Sequence, residues 1–166
     1  MNNIEIRSMT AADWPSVLAI YQEGIDTGFA TFEKELPSYE AWDGNHLDTC
    51  RIVAEKEGQL IGWAALSPVS SRCVYGGVAE VSVYVGGSAR GLGIGKLLMK
   101  ELISLSEKEG LWTLQSGIFP ENEASIRLHE QVGFRRIGYR ERVGKLDGIW
   151  KDNVIFEKRS SIVGID

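Results

Sequence analysis

The chain has 166 residues and a formal net charge of −5, with 43% hydrophobic and 25% charged residues. This composition is typical of a folded globular protein, and we expect residues 1–166 to form one domain. The acidic balance offers no basic surplus for the phosphates of a nucleic acid, so no nucleic-acid partner is predicted. No apolar run approaches the roughly 20 residues that span a bilayer, so no membrane partner is predicted either.

The cysteines, the histidines and the first residues bear on location and on metals. Cys50 and Cys73 lack a C-x-x-C spacing, which favours a reducing compartment without disulfides. With only His46 and His129 besides, the spacing assembles no metal cluster. The first residues lack a basic segment followed by an apolar one, so we expect a cytoplasmic protein.

Hydrophobic periodicity and turn residues predict the elements in chain order. Strands are predicted at 4–7, 51–55, 60–66, 81–85, 112–118, 134–142 and 153–158. Helices are predicted from Thr10 to about Gly24, from Ser38 to Leu47, after Gly95 and from Asn122 to Gln131. The helix after Gly95 is expected to bury one face made of Leu97, Leu98, Leu102, Ile103 and Leu105. Because strands and helices intermix, the pattern predicts an α/β domain with a mixed, mostly antiparallel sheet flanked by helices.

A glycine-rich turn joins the strand at 81–85 to the helix after Gly95. It runs Arg90-Gly91-Leu92-Gly93-Ile94-Gly95-Lys96. The backbone N–H groups and the helix dipole at such a turn suit a phosphate, although an ordinary helix-entry turn is the alternative. The third glycine lies one residue too early for the dinucleotide-binding pattern G-x-G-x-x-G. A P-loop is also excluded, because Leu97 stands where that loop needs serine or threonine.

The pattern R-x-x-G-x-G between a strand and a helix resembles the acetyl-CoA pyrophosphate loop of the GNAT superfamily of N-acetyltransferases. The segment from Asn122 to Phe134 resembles a second signature of that superfamily, N-x-x-[AS]-x-x-L-[YH]-E-x-x-G-F, in the right order. By itself, this segment would be a plain amphipathic helix with a glycine C-cap. Together, the two motifs imply a GNAT-type acyl-CoA N-acyltransferase fold that uses acetyl-CoA as co-substrate and no metal.

Further segments resemble the phosphinothricin acetyltransferases within that superfamily. They are 72–85 (R-x-x-Y-x-x-x-x-E-x-S-V-Y-V), Thr31-Phe32-Glu33, Leu128-His129-Glu130 and 148–152 (G-x-W-x-D). The resemblance covers essentially residues 4–158, with departures at 76–77 and 145–147. It implies an enzyme that acetylates the amino group of a small amino-acid-like substrate, such as phosphinothricin, methionine sulfoximine or methionine sulfone.

The resemblance also implies roles for individual residues. Glu80 is the expected base for the amine proton, and His129 is the expected acid that protonates the leaving thiolate. Without the resemblance, they would be an exposed strand-end acid and a half-buried helix histidine. The expected cofactor-binding residues are Val83, Tyr84, Val85, Arg90, Gly91, Leu92, Gly93, Ile94, Gly95, Lys96, Asn122 and Ser125. The expected acceptor pocket is formed by Phe32, Glu33, Arg72 and Tyr75, because an arginine can bind a carboxylate.

Two alternatives stay open. The enzyme could acetylate another amine, such as a polyamine or a protein N-terminus. A non-catalytic acyl-CoA-binding sensor would keep the glycine loop but need not keep Glu80 and His129. Neither cysteine lies in a matched motif as an acyl carrier, so we expect direct attack in a ternary complex. The expected assembly is a homodimer.

Overall fold

Four α-helices and seven β-strands make up the part of the chain that the computed structural model describes, residues 3–166. In chain order they are β1 (Ile4–Ser8), α1 (Trp14–Thr27), α2 (Tyr39–Asn45), β2 (Ile52–Lys56), β3 (Gln59–Pro68), β4 (Val78–Val85), α3 (Ile94–Lys108), β5 (Thr113–Ile118), α4 (Glu123–Gln131), β6 (Arg135–Leu146) and β7 (Ile149–Arg159). Short 3₁₀ turns lie at Ala11–Asp13, Cys73–Tyr75 and Gly87–Ala89.

The strands form one sheet in the order β1-β2-β3-β4-β5-β7-β6. Every neighbouring pair is antiparallel except β4 and β5, which run parallel. This arrangement confirms the predicted mixed, mostly antiparallel sheet with flanking helices. Within residues 3–166, no helix combines the length and the apolar character that crossing a membrane requires.

Helices cover both faces of the sheet, and the alternation along β3 shows how. Ala64 and Leu66 belong to the core on the side of α3. Trp63 and Ala65 point to the opposite face, where they pack with Trp42 of α2. Because β3 is covered on both sides, its sequence is a nearly continuous apolar run rather than an alternating one.

Strands β4 and β5 stay paired for only a short distance. Their pairing begins at Val78 and ends at Glu80, which lies beside Gln115. Beyond this point, β4 continues to Val85 alongside β3, whereas β5 continues to Ile118 alongside β7. The two strands therefore part after Glu80 and leave a gap in the middle of the sheet.

Helix α1 is longer than predicted. It was expected to end near Gly24 but runs to Thr27. A Cβ atom at position 24 would lie 2.6 Å from Cε1 of Tyr84, so this glycine permits close packing against β4 instead of ending the helix. The helix ends at Gly28, whose φ of 75° is left-handed.

The buried face of α3 differs from the predicted one by a leucine. Leu98 and Leu102 are fully buried, as predicted, whereas Leu97 is 43% exposed. The helix begins at Ile94, which is itself buried together with Met99. These two residues occupy the core-facing positions, so Leu97 points away from the core.

The last two strands are also longer than predicted. The first was expected to end at Arg142 and the second to begin at Asn153, but β6 runs to Leu146 and β7 begins at Ile149. Residues 147–148, Asp-Gly, form the turn between them with positive φ at both positions. Asp-Gly favours a tight hairpin turn, so the two strands form one long hairpin.

A bulge interrupts this hairpin and explains the wrong boundaries. The pairing of β6 with β7 shifts register between Arg140 and Gly144, and Arg142 has a φ of 48°. The Asp152 carboxylate accepts the backbone N–H of Arg142 at 2.7 Å and also accepts the Tyr139 hydroxyl. These hydrogen bonds, that of Tyr139 above all, hold the pKa of Asp152 below its usual range. The bulge disturbs the alternation along β6, so the pattern hides the continuation of the strand.

Candidate active site

A cleft of about 1060 Å³ opens where β4 and β5 part. It runs from α2 and the segment between α1 and α2, across β4, to the glycine loop and α4. It brings together all of the predicted site residues except three. Those that line it are Phe32, Glu33, Glu80, Val83, Tyr84, Val85, Arg90, Gly91, Gly93, Ile94, Gly95, Lys96, Asn122, Ser125 and His129.

Left-handed glycines shape the loop between β4 and α3. Gly91 and Gly93 have φ angles of 78° and 79°, which residues with a Cβ atom rarely adopt. A Cβ atom at either position would meet no other atom within 4 Å, so the backbone borders open space. Gly95 differs, because a Cβ atom there would lie 3.0 Å from Cδ2 of Leu128. Gly95 therefore lets α3 and α4 approach each other.

The first turn of α3 presents free backbone donors to the cleft. Gly93 is the N-cap residue, and within the described chain no side chain caps this end of the helix. The N–H groups of Ile94, Gly95 and Lys96 have no carbonyl one turn earlier in the helix. The Lys96 and Arg90 side chains line the same part of the cleft. Backbone donors, the helix dipole and two cations form a site suited to an anionic group.

Glu80 lies at the point where β4 and β5 part. It stands directly opposite Ser67 of β3, and the alternation of the strand puts Ser82 and Tyr84 on the same face. Its side chain lines the cleft and remains exposed to solvent, and partial desolvation raises the pKa of the carboxyl, while the charge of Arg140 partly offsets this effect. A carboxylate with a raised pKa in a cleft is suited to accept a proton.

Helix α4 borders the cleft beyond the end of β5. Asn122 caps it, since its Oδ1 accepts the backbone N–H of Ser125 at 3.3 Å. His129 is only 1% exposed and packs edge-on to Phe134 with 5.0 Å between ring centroids. Its Nδ1 lies 2.7 Å from the Ser125 carbonyl oxygen, which can only accept, so Nδ1 carries the proton.

The free nitrogen of His129 is buried. Nε2 has no hydrogen-bond partner among the described residues. Burial lowers the pKa of the imidazole, and the hydrogen bond to Ser125 offsets this only in part. At neutral pH the ring is therefore neutral, with a lone pair on Nε2.

Aromatic rings line the end of the cleft near α1 and α2, which we call the acceptor end. Tyr84 stacks on Tyr21 with 5.1 Å between ring centroids, and Phe32 meets Phe119 edge-on at 4.6 Å. Burial raises the pKa of both tyrosine hydroxyls, so they are neutral hydrogen-bonding groups. Glu33 adds a carboxylate beside Phe32. This end of the cleft combines apolar walls with acidic groups.

Among the side chains that line the cleft, the basic ones lie at the other end, whereas Arg140, whose charge acts on Glu80, belongs to β6 outside the lining. Among the described residues that line it, Arg and Lys occur only in the glycine loop, the start of α3 and α4, as Arg90, Lys96 and Arg127. Glu33 and Glu80 are the carboxylates of the lining. In one chain, a carboxylate bound at the acceptor end would thus meet no Arg or Lys side chain of the cleft.

Three predicted site residues lie outside the cleft lining. Arg72 occupies the N-cap position of the 3₁₀ turn before β4 without a side-chain capping bond, and its guanidinium carbon lies 5.6 Å from the ring centroid of Tyr75. Tyr75 is 48% exposed, and Leu92 in the glycine loop is 49% exposed. The structure therefore does not bring the expected carboxylate-binding residues into the cleft of a single chain.

The cleft also contains residues that no sequence motif marks as part of the site. Trp42 and His46 come from α2 and its C-cap, and Asn153 lies in β7. Trp42 and His46 are four residues apart, a spacing that places two side chains next to each other on a helix. This spacing is the one feature of the sequence that could have indicated that the two side chains act together. Asn153 directly follows the G-x-W-x-D segment, but nothing in that segment indicates which way its side chain points.

Comparison with known proteins identifies the family. The model described as the Acetyltransferase (GNAT) family matches residues 14–134, a stretch that includes both the glycine loop and α4. The chain belongs to the GNAT acetyltransferase family. An L-methionine sulfoximine/L-methionine sulfone acetyltransferase of Pseudomonas aeruginosa is 30% identical over 153 residues, 89% of each chain. A phosphinothricin N-acetyltransferase of Streptomyces viridochromogenes is 33% identical, over 90% of this chain and 84% of its own.

Solved structures of GNAT proteins share the fold. A phosphinothricin acetyltransferase of Sinorhizobium meliloti in complex with AcCoA superimposes with a TM-score of 0.84 at 29% identity, over 98% of this chain and 96% of that one. A ribosomal-protein-alanine N-acetyltransferase of Brucella melitensis superimposes with a TM-score of 0.87 at 35% identity, over 94% of this chain and 99% of that one. These similarities confirm the predicted GNAT-type fold, while the two names describe different acceptors.

Proposed function

We propose that this GNAT protein transfers the acetyl group of acetyl-CoA to the amino group of a small amino-acid-like substrate by direct attack in a ternary complex. The observation that carries the proposal is the cleft, in which the glycine loop, Glu80 and the acceptor end meet where β4 and β5 part. Relatives named for methionine sulfoximine and phosphinothricin support the acceptor class.

Acetyl-CoA fits the end of the cleft near the glycine loop. Its diphosphate would meet the free N–H groups at the start of α3, with Arg90 and Lys96 beside them. Beyond Glu80, the backbone of 83–85 has a sheet partner on one side only, so the pantetheine arm can bind there as an added strand. Asn122 and Ser125 would face this arm from α4.

Glu80 is the proposed base. It takes a proton from the acceptor ammonium, directly or through a water, and the amine nitrogen then attacks the thioester carbon. The carbon–sulfur bond breaks, a thiolate leaves, and the nitrogen gives up its second proton to solvent, so that a neutral amide forms. The raised pKa of Glu80 supports this role, because it brings the carboxyl closer to the pKa of an amine.

His129 is the proposed proton donor to the thiolate, and its environment sets a condition on that role. The neutral ring holds its hydrogen on Nδ1, towards Ser125. Donation from Nε2 requires a protonated ring, which burial opposes. The role of His129 is therefore decided by the pH dependence of the reaction.

A second candidate acceptor is an amine without a carboxylate, such as a polyamine or a protein N-terminus. The observation that favours it is the acceptor end itself, which holds Glu33 and Glu80 but no Arg or Lys of the described lining. Carboxylates and aromatic faces attract cations. The name of the Brucella melitensis relative points in the same direction.

A parallel assay of thiol release from acetyl-CoA distinguishes the two acceptors. The panel consists of methionine sulfone, methionine sulfoximine, phosphinothricin, the decarboxylated analogue of each, spermidine and a short peptide. We expect the amino acids to be acetylated faster than their decarboxylated analogues by a factor that can reach ~10⁴, because a polar site rejects a substrate that leaves its groups unpaired. Faster turnover of spermidine or the peptide would reject the amino-acid acceptor in favour of the second candidate.

Arg72 provides a separate test of the amino-acid acceptor. If its guanidinium binds the substrate carboxylate in the assembled protein, Arg72→Ala should raise KM for methionine sulfone and leave KM for acetyl-CoA unchanged. An unchanged KM for methionine sulfone would remove Arg72 from the acceptor site.

We also propose that the protein is a homodimer. The β6–β7 hairpin supports this, because it leaves Tyr139, Ile149 and Trp150 exposed by half or more. Exposed apolar side chains grouped on one hairpin are typical of an interface. Light scattering of the purified protein measures the mass, and a monomer at micromolar concentration would contradict the proposal.

A further inference from the structure

We propose that His46 is a second proton acceptor at the acceptor end of the cleft, and that it receives through Glu80 the proton that leaves the acceptor ammonium. The inference rests on the proposed acetyltransferase function. It adds a residue to the proton transfer of that reaction.

The fold puts His46 and Glu80 on the same face of the sheet. Trp42, one turn before His46, packs against Trp63 of β3. Side chains alternate along β3, so Ser67 shares the face of Trp63. Glu80 stands directly opposite Ser67 in the neighbouring strand and therefore points to this face as well.

Backbone contacts connect the two residues through β3. The residue after His46, Leu47, donates its N–H to the carbonyl oxygen of Leu66 at 2.8 Å. Leu66 is followed by Ser67, which pairs with Glu80. His46, Ser67 and Glu80 all line the cleft. Ser67 thus links the positions of the two residues along β3.

The imidazole of His46 is held in one orientation and one tautomer. Nδ1 lies 2.6 Å from the Trp42 carbonyl oxygen, and the ring stacks on the Trp42 indole with 4.2 Å between centroids. A carbonyl oxygen only accepts, so Nδ1 carries the hydrogen and Nε2 carries the lone pair. Within residues 3–166 the side-chain hydrogen bond of this ring is made by Nδ1, so the lone pair on Nε2 is available to a water or a hydroxyl in the cleft.

The charged groups around His46 come from α2, from the residue before β2 and from β4. Arg51 donates to the His46 carbonyl oxygen at 3.2 Å and is itself paired with Asp43. Glu80 is the carboxylate that lines the same cleft from β4. Burial and the charge of Arg51 lower the pKa of His46, despite the hydrogen bond to Trp42. The ring is therefore neutral at neutral pH and able to accept a proton.

The proposed step conserves atoms and charge. An N–H bond of the acceptor ammonium breaks as an O–H bond forms on Glu80. That O–H bond then breaks as an N–H bond forms on Nε2 of His46, either through the Ser67 hydroxyl or through a water. The imidazolium releases the proton to solvent. Since the pKa of Glu80 is raised and that of His46 is lowered, the two groups are closer in proton affinity than free side chains, which favours transfer between them.

Two variants and two acceptors test this step. His46→Asn keeps an amide N–H for the Trp42 carbonyl but has no atom at Nε2, whereas His46→Gln places an amide near Nε2 that cannot be protonated. With an acceptor that is an ammonium at pH 7, we expect kcat to fall roughly 10- to 100-fold in both variants, within the range of positioned acid–base groups. With an aminooxy analogue, which is already neutral at pH 7, kcat should fall less than threefold, because no proton has to be removed before attack.

The outcomes are separable. Thermal stabilisation by acetyl-CoA establishes that each variant is folded and binds the co-substrate. Equal losses with both acceptors would overturn the proposal, since His46 would then only shape the acceptor end. Unchanged turnover of the ammonium acceptor would overturn it as well. A wild-type protein that acetylates no amine would reject the proposed function itself, whatever the variants do.

Discussion

Glu80 is the side chain from which the proposed proton transfer begins. Glu80→Gln keeps the size and the polarity of the side chain but removes the base. We expect kcat/KM to fall by roughly 10²–10⁴, the usual contribution of a positioned base, while acetyl-CoA binding is retained. Initial rates of thiol release and calorimetric binding of acetyl-CoA measure the two quantities. An unchanged rate would remove Glu80 from the mechanism.

The raised pKa of Glu80 also predicts the direction in which the stability of the protein changes with pH. A raised pKa means that the folded protein favours the protonated carboxyl. The stabilisation by this protonated form is present below the pKa of the unfolded state and is lost as pH rises through the pKa of the folded state. At pH 7 the ionised carboxylate is at most a small cost to folding, because the side chain is exposed to solvent. Glu80→Gln should therefore leave Tm unchanged or raise it, so that lost activity cannot be ascribed to unfolding.

His129 is tested by the pH dependence of kcat. Because burial lowers its pKa below 6.5, an acid role would make kcat decline as the ring loses its proton below pH 6.5. We expect this decline below neutral pH in the wild type and its absence in His129→Phe, and a profile that His129→Phe leaves unchanged would remove His129 from the mechanism. A descending limb that disappears in His129→Phe would establish His129 as the proton donor.

At the scale of elements, the start of α3 is the most direct test of co-substrate binding. Gly93→Val places a side chain in the open space where the phosphates would meet the N–H groups. Acetyl-CoA should raise the Tm of the wild type, and Gly93→Val should lose most of that rise. Gly110→Val is the matched control, because Gly110 also has a left-handed φ, of 80°, with no atom within 4 Å and lies outside the cleft lining.

The comparison of these two glycine variants separates binding from strain. Both should lower the Tm of the free protein by a similar amount, since both force a Cβ atom into a left-handed conformation. Only Gly93→Val should bind acetyl-CoA poorly. If both variants bind it equally well, the loop is not the phosphate site. Gly95→Val is less informative, because its side chain would press on Leu128 and disturb the contact between α3 and α4.

Element types were predictable from local patterns, but several boundaries were not. Apolar spacing and turn residues indicated each of the helices and strands that the structure describes. Gly24 resembles a helix end in the sequence, yet it lies inside α1 because the Tyr84 ring needs its space. The bulge around Arg142 similarly obscured the length of β6. In both places, a contact distant in sequence overrides the local signal.

At the scale of the whole molecule, the two ends of the cleft differed in how far the sequence could predict them. The co-substrate end is built largely from consecutive residues, 83–96, so its motif is visible in one stretch. The acceptor end is assembled from α1, α2, β4 and the segment after β5. Trp42 and His46 therefore carried no motif, and Arg72 was assigned to a pocket whose lining does not include it in one chain.

The gap in the sheet could not be predicted from the sequence either. It depends on how far β4 and β5, separated by the whole of α3, stay paired. Each strand by itself has an ordinary apolar pattern. Only the register, which ends at Glu80 and Gln115, shows that the proposed base lies at the point of separation.

Thiol release from acetyl-CoA, measured with and without an acceptor amine and combined with mass spectrometry of the products, tests direct acetyl transfer in this cleft most directly. We predict that thiol release depends on the amine, that each thiol is matched by one acetylated amine, and that the protein itself carries no acetyl group. Thiol release without amine together with an acetylated protein would contradict direct attack. Tight binding of acetyl-CoA without transfer to any amine would contradict the proposed acetyl transfer and would favour a non-catalytic acyl-CoA-binding sensor.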